Sequence, residues 1–183
     1  VLGCHRRRKR WRMGDLLSAA TNFLRWWEQP QVFVREVFGV TPDPWQAEVL
    51  EAFPHHQRLA MKASKGPGKT TVLAWLAWNF LLTRPHPKIA ATSITGDNLD
   101  QGLWTEMAKW QSRSELLKAA FEWKKTRIES RDHPETWWMS ARTWPRSGNA
   151  TEQANTLGGF HSDYVMFILD ESGGIPDAVM VSA

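Results

Sequence analysis

One cysteine, Cys4, is all the chain has among 183 residues. An internal disulfide is therefore excluded, and so is a zinc site built from clustered Cys and His. Such sparse use fits a reducing compartment, so a cytoplasmic location is expected. No apolar run reaches the roughly 18 residues that a membrane-spanning helix needs. No segment recurs at a fixed period, which excludes solenoids and propellers. The basic start is not followed by an apolar core and a cleavage site, so a secretory leader is not expected.

Acidic residues are absent from residues 1–12, which hold Arg6, Arg7, Arg8, Lys9, Arg10 and Arg12. The net charge of +4 comes from that stretch, because the other 17 basic and 19 acidic residues leave the body at −2. Charge alone is thus a weak argument for nucleic-acid binding by the body. Residues 1–14 read as a disordered basic arm, either a nucleic-acid contact or, given Met13-Gly14-Asp15, an upstream extension of the reading frame. The whole chain has an ordinary 42% hydrophobic and 23% charged content, with an unusual 12 tryptophans, and residues 15–183 read as one globular domain.

Several elements are legible from spacing. Leu16, Leu17, Ala20, Phe23, Leu24 and Trp27 form a helical stripe over residues 15–28, which Pro30 ends. In Asp43-Pro44-Trp45-Gln46, Asp43 suits an N-cap, Pro44 the first helical turn and Gln46 the capping-box partner. The same Gln46 amide could instead read a purine edge. Leu59-Ala60-Met61 belongs to a first core strand expected over residues 58–64, and residues 71–82 to a helix apolar nearly all round, with Trp75 and Trp78 in the core. Residues 88–93 suit a second strand, whose terminal Thr92 and Ser93 form either a satisfied turn or a hydroxyl pair facing phosphate or nucleic acid. A helix is expected over residues 114–123, capped by Ser114, then two short strands over 126–131 and 136–143, with Trp137 and Trp138 on opposite faces. A long polar loop follows over 147–162.

Two segments carry chemistry. Ala63-Ser64-Lys65-Gly66-Pro67-Gly68-Lys69-Thr70 lies between the expected strand and the apolar helix. Strand, glycine-bearing loop and helix in that order make a phosphate-binding loop. Gly66 and Gly68 permit the tight turn, and the helix start adds unpaired amides and a positive dipole end. Lys69 suits the β- and γ-phosphates, Thr70 a magnesium ion, and residues 64–71, from Ser64 and Lys65 through Pro67 to Thr71, form the expected nucleotide-binding set. The other segment is Tyr164 to Glu171, an apolar run ending in Asp170 and Glu171. The run suits a strand buried on both faces, and two carboxylates at its end would be too costly inside a core. Asp170 is the candidate magnesium ligand and Glu171 the candidate base for the attacking water. ATP and Mg²⁺ are the expected cofactors.

With these segments in place, the chain from about residue 33 onward resembles the ATPase domain of the large terminase subunit of tailed bacteriophages. The resemblance rests on Pro44-Trp45-Gln46, on Ala91-Thr92-Ser93 with the helix to Trp104, and on the loop with its early basic residue Lys65. It also rests on residues 155–163 leading into Phe167-Ile168-Leu169-Asp170-Glu171 and on residues 172–177 after it. It implies an α/β P-loop NTPase with a mainly parallel sheet flanked by helices, C-terminally truncated, since the family's coupling segment and nuclease domain would lie beyond Ala183. It further implies a motor acting on double-stranded DNA, with portal protein and small terminase subunit as partners and a homo-oligomer on the portal. Lys65, Arg142 and Arg146 are the candidates for the cation that meets transition-state charge. A helicase-like remodelling ATPase and an inactive nucleotide-binding remnant are the alternatives. On this reading the 183 residues alone turn ATP over slowly, which a steady-state phosphate-release assay checks; turnover matching a complete terminase motor would contradict it.

Overall fold

The computed structural model describes residues 13–62, 66, 68–93, 95–142 and 160–171. Most of the basic arm lies outside these residues, and helix α1 (Met13–Glu28) begins inside the 1–14 boundary expected for it. Of the stripe expected on α1, Phe23 packs on the core, whereas Ala20 and Leu24 are exposed, Leu24 at 64%, and Trp26 packs there in addition. Helix α2 (Pro30–Phe38) starts at the proline that ends α1 and stops at Gly39, whose φ of 68° is a left-handed cap that suits glycine. Arg25 of α1 pairs with Glu36 of α2 at 2.6 Å, and Glu36 also accepts the Trp26 indole N–H at 2.7 Å. Helix α3 (Pro44–Ala52) has the expected capping box, with the Asp43 N–H donating to Gln46 Oε1 at 2.9 Å.

Helix α4 (Lys69–Thr83) is the spine of the molecule. Val72 and every residue from Ala74 to Thr83 are buried, as the all-round apolar sequence requires. It packs against α1, α2, α3 and α6 (Thr105–Ser112), with strand β1 (Lys88–Thr92) beneath. Trp75 and Trp78 are both core residues: Trp75 meets the Trp110 ring at 5.1 Å, and Trp78 meets Phe121 at 5.6 Å and donates its indole N–H to the Met107 carbonyl. Between β1 and α6 lie the short helix α5 (Gly96–Leu99) and a π-helical turn, Asp100–Trp104. Helix α7 (Glu115–Ala120) is capped by Ser114 Oγ, which accepts the Leu117 N–H.

The sheet has the order β2-β3-β4-β1-β5, with β2 Phe121–Trp123, β3 Arg127–Ser130, β4 Trp138–Ala141 and β5 Val165–Leu169. Strand β1 runs parallel to both β4 and β5, while β2 and β3 are antiparallel additions. The parallel core flanked by helices is the α/β class that the motifs imply. Face assignment follows from alternation along each strand. Ile89, Ala91, Met139 and Ile168 lie on the face covered by α4 and belong to the core cluster. Lys88, Trp138 and Phe167 lie on the other face, where Phe160 meets Trp138 at 5.4 Å and Phe167 at 5.7 Å. Trp137 and Trp138 do point opposite ways: Trp137 donates to the Leu81 carbonyl of α4, whereas Trp138 stacks under Lys88 and Arg127.

Three expectations need correction. No strand forms over residues 58–62, and Leu59 is 40% exposed; the rest of that stretch, Ala63 and Ser64, lies outside the described residues. An apolar segment becomes a strand only where a ladder partner exists, and β5, the edge strand, pairs with β1 alone among the described residues. For the same reason β5 is not enclosed: only Ile168 is fully buried, and its neighbours in the strand are half-buried. The helix expected over 114–123 ends at Ala120, because Phe121 and Trp123 leave it to pair with Ser130 and Ile128.

At the carboxyl end of α4, Arg84 is 5% exposed and no carboxylate pairs with it among the described residues. Its guanidinium donates to Asn79 Oδ1 at 2.8 Å and Thr83 Oγ1 at 2.7 Å, and lies over Trp27, Phe80 and Phe53 at 4.6, 4.8 and 5.6 Å. Burial pushes its pKa down to about 10, still far above neutrality, so the charge is retained and held by amide dipoles and aromatic faces. Arg84→Ala is expected to cost about 2–4 kcal/mol, from the lost packing and the unpaired Asn79 amide. Urea unfolding measures this, and a loss below about 1 kcal/mol would show that the cage is incidental.

Candidate functional site

The site is assembled where the start of α4 meets the carboxyl ends of β1 and β5. Gly66 and Gly68 have φ of 93° and 90°, a region that side-chain-bearing residues avoid, so both glycines are required by the backbone. Gly68 is also the N-cap of α4, and a Cβ there would lie 2.9 Å from Gln46 Nε2. The capping-box reading of Gln46 holds. Its carbonyl oxygen caps α3, and its amide nitrogen rests on the glycine loop. Ser64, Lys65 and Pro67 lie outside the described residues.

Lys69, Thr70 and Thr71 form the first turn of α4. The Thr71 hydroxyl proton is committed to Glu106, which accepts it at 2.9 Å together with the Trp110 indole N–H at 2.9 Å and the Lys109 ammonium at 2.9 Å. Burial alone would raise the Glu106 carboxyl. The hydrogen bonds from Lys109, Thr71 and Trp110, with the Lys109 charge, outweigh burial and hold it below the ordinary glutamate value. Glu106 thus anchors the start of α4 to α6.

Asp170 and Glu171 follow β5 directly. The Asp170 N–H donates to the Thr92 carbonyl at 2.9 Å, the bond that completes the last pair of the parallel β1–β5 ladder, Thr92 with Leu169. Burial, and then the adjacent Glu171 charge, raise the Asp170 carboxyl above the ordinary aspartate value. A backbone hydrogen bond from Glu171 and the positive charge of Lys69 act against this rise. Lys69 and Asp170 are therefore close enough to interact electrostatically. Gly102 of the π-helical turn adjoins the carboxylate, since a Cβ there would stand 3.6 Å from Asp170 Oδ2. Glu171 is exposed, sits at a φ of 54° and accepts the Asn98 side-chain N–H on Oε2 at 2.7 Å. Asn98 is itself fixed by its backbone N–H, which donates to Thr95 Oγ1 at 3.0 Å.

Thr92 and Ser93 do not form a satisfied turn, because both hydroxyls are buried without a hydrogen-bond partner. Arg142 lies away from the acids. Its Nε donates to Ser140 and its guanidinium covers the Phe160 ring at 5.3 Å, on the sheet face opposite α4. Arg146 is outside the described residues. Sequence reasoning missed Asn98, Gly102 and Glu106. The π-helical turn that sets Gly102 against Asp170 is a known mark of functional segments, yet nothing in the local composition announces it.

No protein-family model matches the chain, and no curated protein matches it. Among solved structures, the crystal structure of the HK97 bacteriophage large terminase superposes with a TM-score of 0.58 over 83% of this chain, at 11% sequence identity. The fold is shared with a phage large terminase. The chain spans 39% of the length of that protein, so the likeness concerns one part of it. It agrees with the α/β architecture and with the family resemblance carried by the motifs.

The ionised form of Asp170 is penalised by its surroundings. For a carboxyl raised in the folded state, that penalty is fully present above the folded pKa and vanishes as pH falls below the unfolded value. Asp170→Asn is therefore expected to raise the thermal midpoint of the ligand-free protein at pH 7, with the gain fading as the solution is acidified. Scanning calorimetry across pH decides this; a midpoint at or below the wild-type value at pH 7 contradicts it.

Proposed function

We propose that this chain is the nucleotide-hydrolysing part of a DNA-packaging motor of the large-terminase type, which hydrolyses ATP to drive double-stranded DNA into a procapsid. What supports the reading is the glycine loop, with Gly66 and Gly68 both at positive φ where α4 opens, together with Asp170 at the end of β5, a partly desolvated carboxyl whose ionised form the Lys69 charge favours. The terminase fold supports it independently.

The residues fit a magnesium–nucleotide pair. The loop has two glycines in left-handed geometry and no room for a side chain at Gly68, and Asp170 is a desolvated carboxylate next to a cation. Gly66, Gly68 and the first amides of α4 would cradle the phosphates, with Ser64, Lys65 and Pro67 completing the loop. Lys69 would neutralise charge on the β- and γ-phosphates, and Gln46 would offer its amide N–H to the base. Thr70 and Asp170 would hold Mg²⁺, which when bound neutralises phosphate charge. Glu171 would take the proton of the attacking water on Oε1, since Oε2 is engaged by Asn98. Asn98 thereby limits the directions the carboxylate can face. Lys65 or Arg146 would serve as the transition-state cation within one copy, and Arg142, on the far sheet face, only toward a neighbouring copy in a homo-oligomer. The portal, the small terminase subunit and a cytoplasmic setting follow from the same reading.

Lys69→Ala is expected to abolish both nucleotide binding and hydrolysis. Glu171→Gln is expected to lower hydrolysis by about 10²-fold or more while leaving ATP affinity within a few-fold. Tryptophan fluorescence titration measures binding, and phosphate release measures turnover. Loss of ATP binding in Glu171→Gln, or unchanged turnover in either variant, would refute the assignment.

A further inference from the structure

Ser93 is 2% exposed, and its hydroxyl neither donates nor accepts a hydrogen bond. Burying a hydroxyl unpaired is costly, and such a group calls for an explanation, among them a water, an ion or a ligand that it binds. The strand register says where that partner would be. Thr92 pairs with Leu169, and the Asp170 N–H bonds the Thr92 carbonyl, so Ser93 stands beside Asp170. Alternation from Ile89 and Ala91 puts Ser93 on the face covered by α4, and alternation from Ile168 puts Asp170 there too. Thr92, whose hydroxyl is also unpartnered, faces the other side of the sheet.

We propose that Ser93 is a further ligand-binding residue of the site, whose hydroxyl hydrogen-bonds a water of the hydrated divalent cation that Thr70 and Asp170 hold. This rests on the nucleotide-site reading above and extends it to a third strand-borne group. The chemistry is that of a hydroxyl able to accept from a metal-bound water while donating to a carboxylate or phosphate oxygen.

The test uses the 183-residue chain, Ser93→Ala, and Mg²⁺ with a slowly hydrolysed ATP analogue. An orphaned hydroxyl that serves only the ligand predicts opposite effects in the two states. Removing it should raise the thermal midpoint of the ligand-free protein, because a buried unpaired group is deleted. It should weaken analogue binding in Mg²⁺ by about three- to tenfold and leave binding in EDTA unchanged. Thr92→Val, on the opposite face, should raise the midpoint without weakening binding. A lower ligand-free midpoint for Ser93→Ala, unchanged affinity in Mg²⁺, or an equal loss in EDTA would each overturn the proposal. Lys69→Ala separates the two levels: if it abolishes binding while Ser93→Ala does not weaken it, only Ser93 is wrongly assigned. If the wild-type chain binds no analogue, the nucleotide-site reading falls and Ser93 with it.

Discussion

A carboxylate set at the end of an apolar strand, next to a second carboxylate, is the constraint around which this molecule is arranged. Water is partly excluded from Asp170 by the π-helical turn, where Gly102 closes against it. Glu171 adds like charge one residue later, offset in part by the Glu171 backbone hydrogen bond and by the charge of Lys69. Such a pair lowers the stability of the protein by itself and is tolerated where a cation or its ligand will restore the balance. The helix that delivers Lys69 must therefore be held rigidly, and most of the fold does that. Helix α4 is buried along nearly its whole length, its start is tied to α6 through Thr71 and Glu106, and its end is tied to α1 by the Asn79 amide and to the aromatic faces around Arg84.

The tryptophans make sense in that setting. A helix buried on all sides needs large partners on each of them. Trp110 meets both Phe38 and Trp75, Trp78 meets Phe121, and Trp26 meets Phe33. Aromatic rings fill such space with few rotatable bonds, so little conformational entropy is lost on ordering them. Trp78 donates its indole N–H to the Met107 carbonyl and Trp137 to the Leu81 carbonyl, whereas the indole N–H groups of Trp75 and Trp104 are buried without a hydrogen-bond partner. The opposite face of the sheet is built differently. There Lys88, Arg127 and Arg142 lie over Trp138 and Phe160, an arrangement of cations on rings that suits a surface in contact with water.

Much of this was legible because the signals are local. The capping box at Asp43 and Gln46 needs only neighbours three residues apart. The left-handed geometry at Gly66 and Gly68 is one that glycine adopts without a side-chain clash, so the motif itself announces it. The split of Trp137 and Trp138 to opposite faces follows from strand period alone. The stretch over residues 58–62 misled for the opposite reason: its apolar pattern is that of a strand, but strand formation depends on a partner supplied by distant chain. Asn98 was invisible because an asparagine in the first turn of a short helix looks like any polar turn residue until Glu171 is placed beside it.

By itself the sequence determined the class of fold, the glycine loop with its lysine, the apolar helix behind it and the paired acids at a strand end. Each is set by spacing or by backbone chemistry within a few residues. Tertiary structure alone decided which of these meet. It brought Lys69 within electrostatic reach of Asp170, turned the Thr71 hydroxyl to Glu106 and away from any role as a free donor, sent Arg142 to the far face, and left the Ser93 hydroxyl buried without a hydrogen-bond partner. Those outcomes depend on the register of β1 against β5 and on the packing of α4 over that sheet, and no window of sequence contains either.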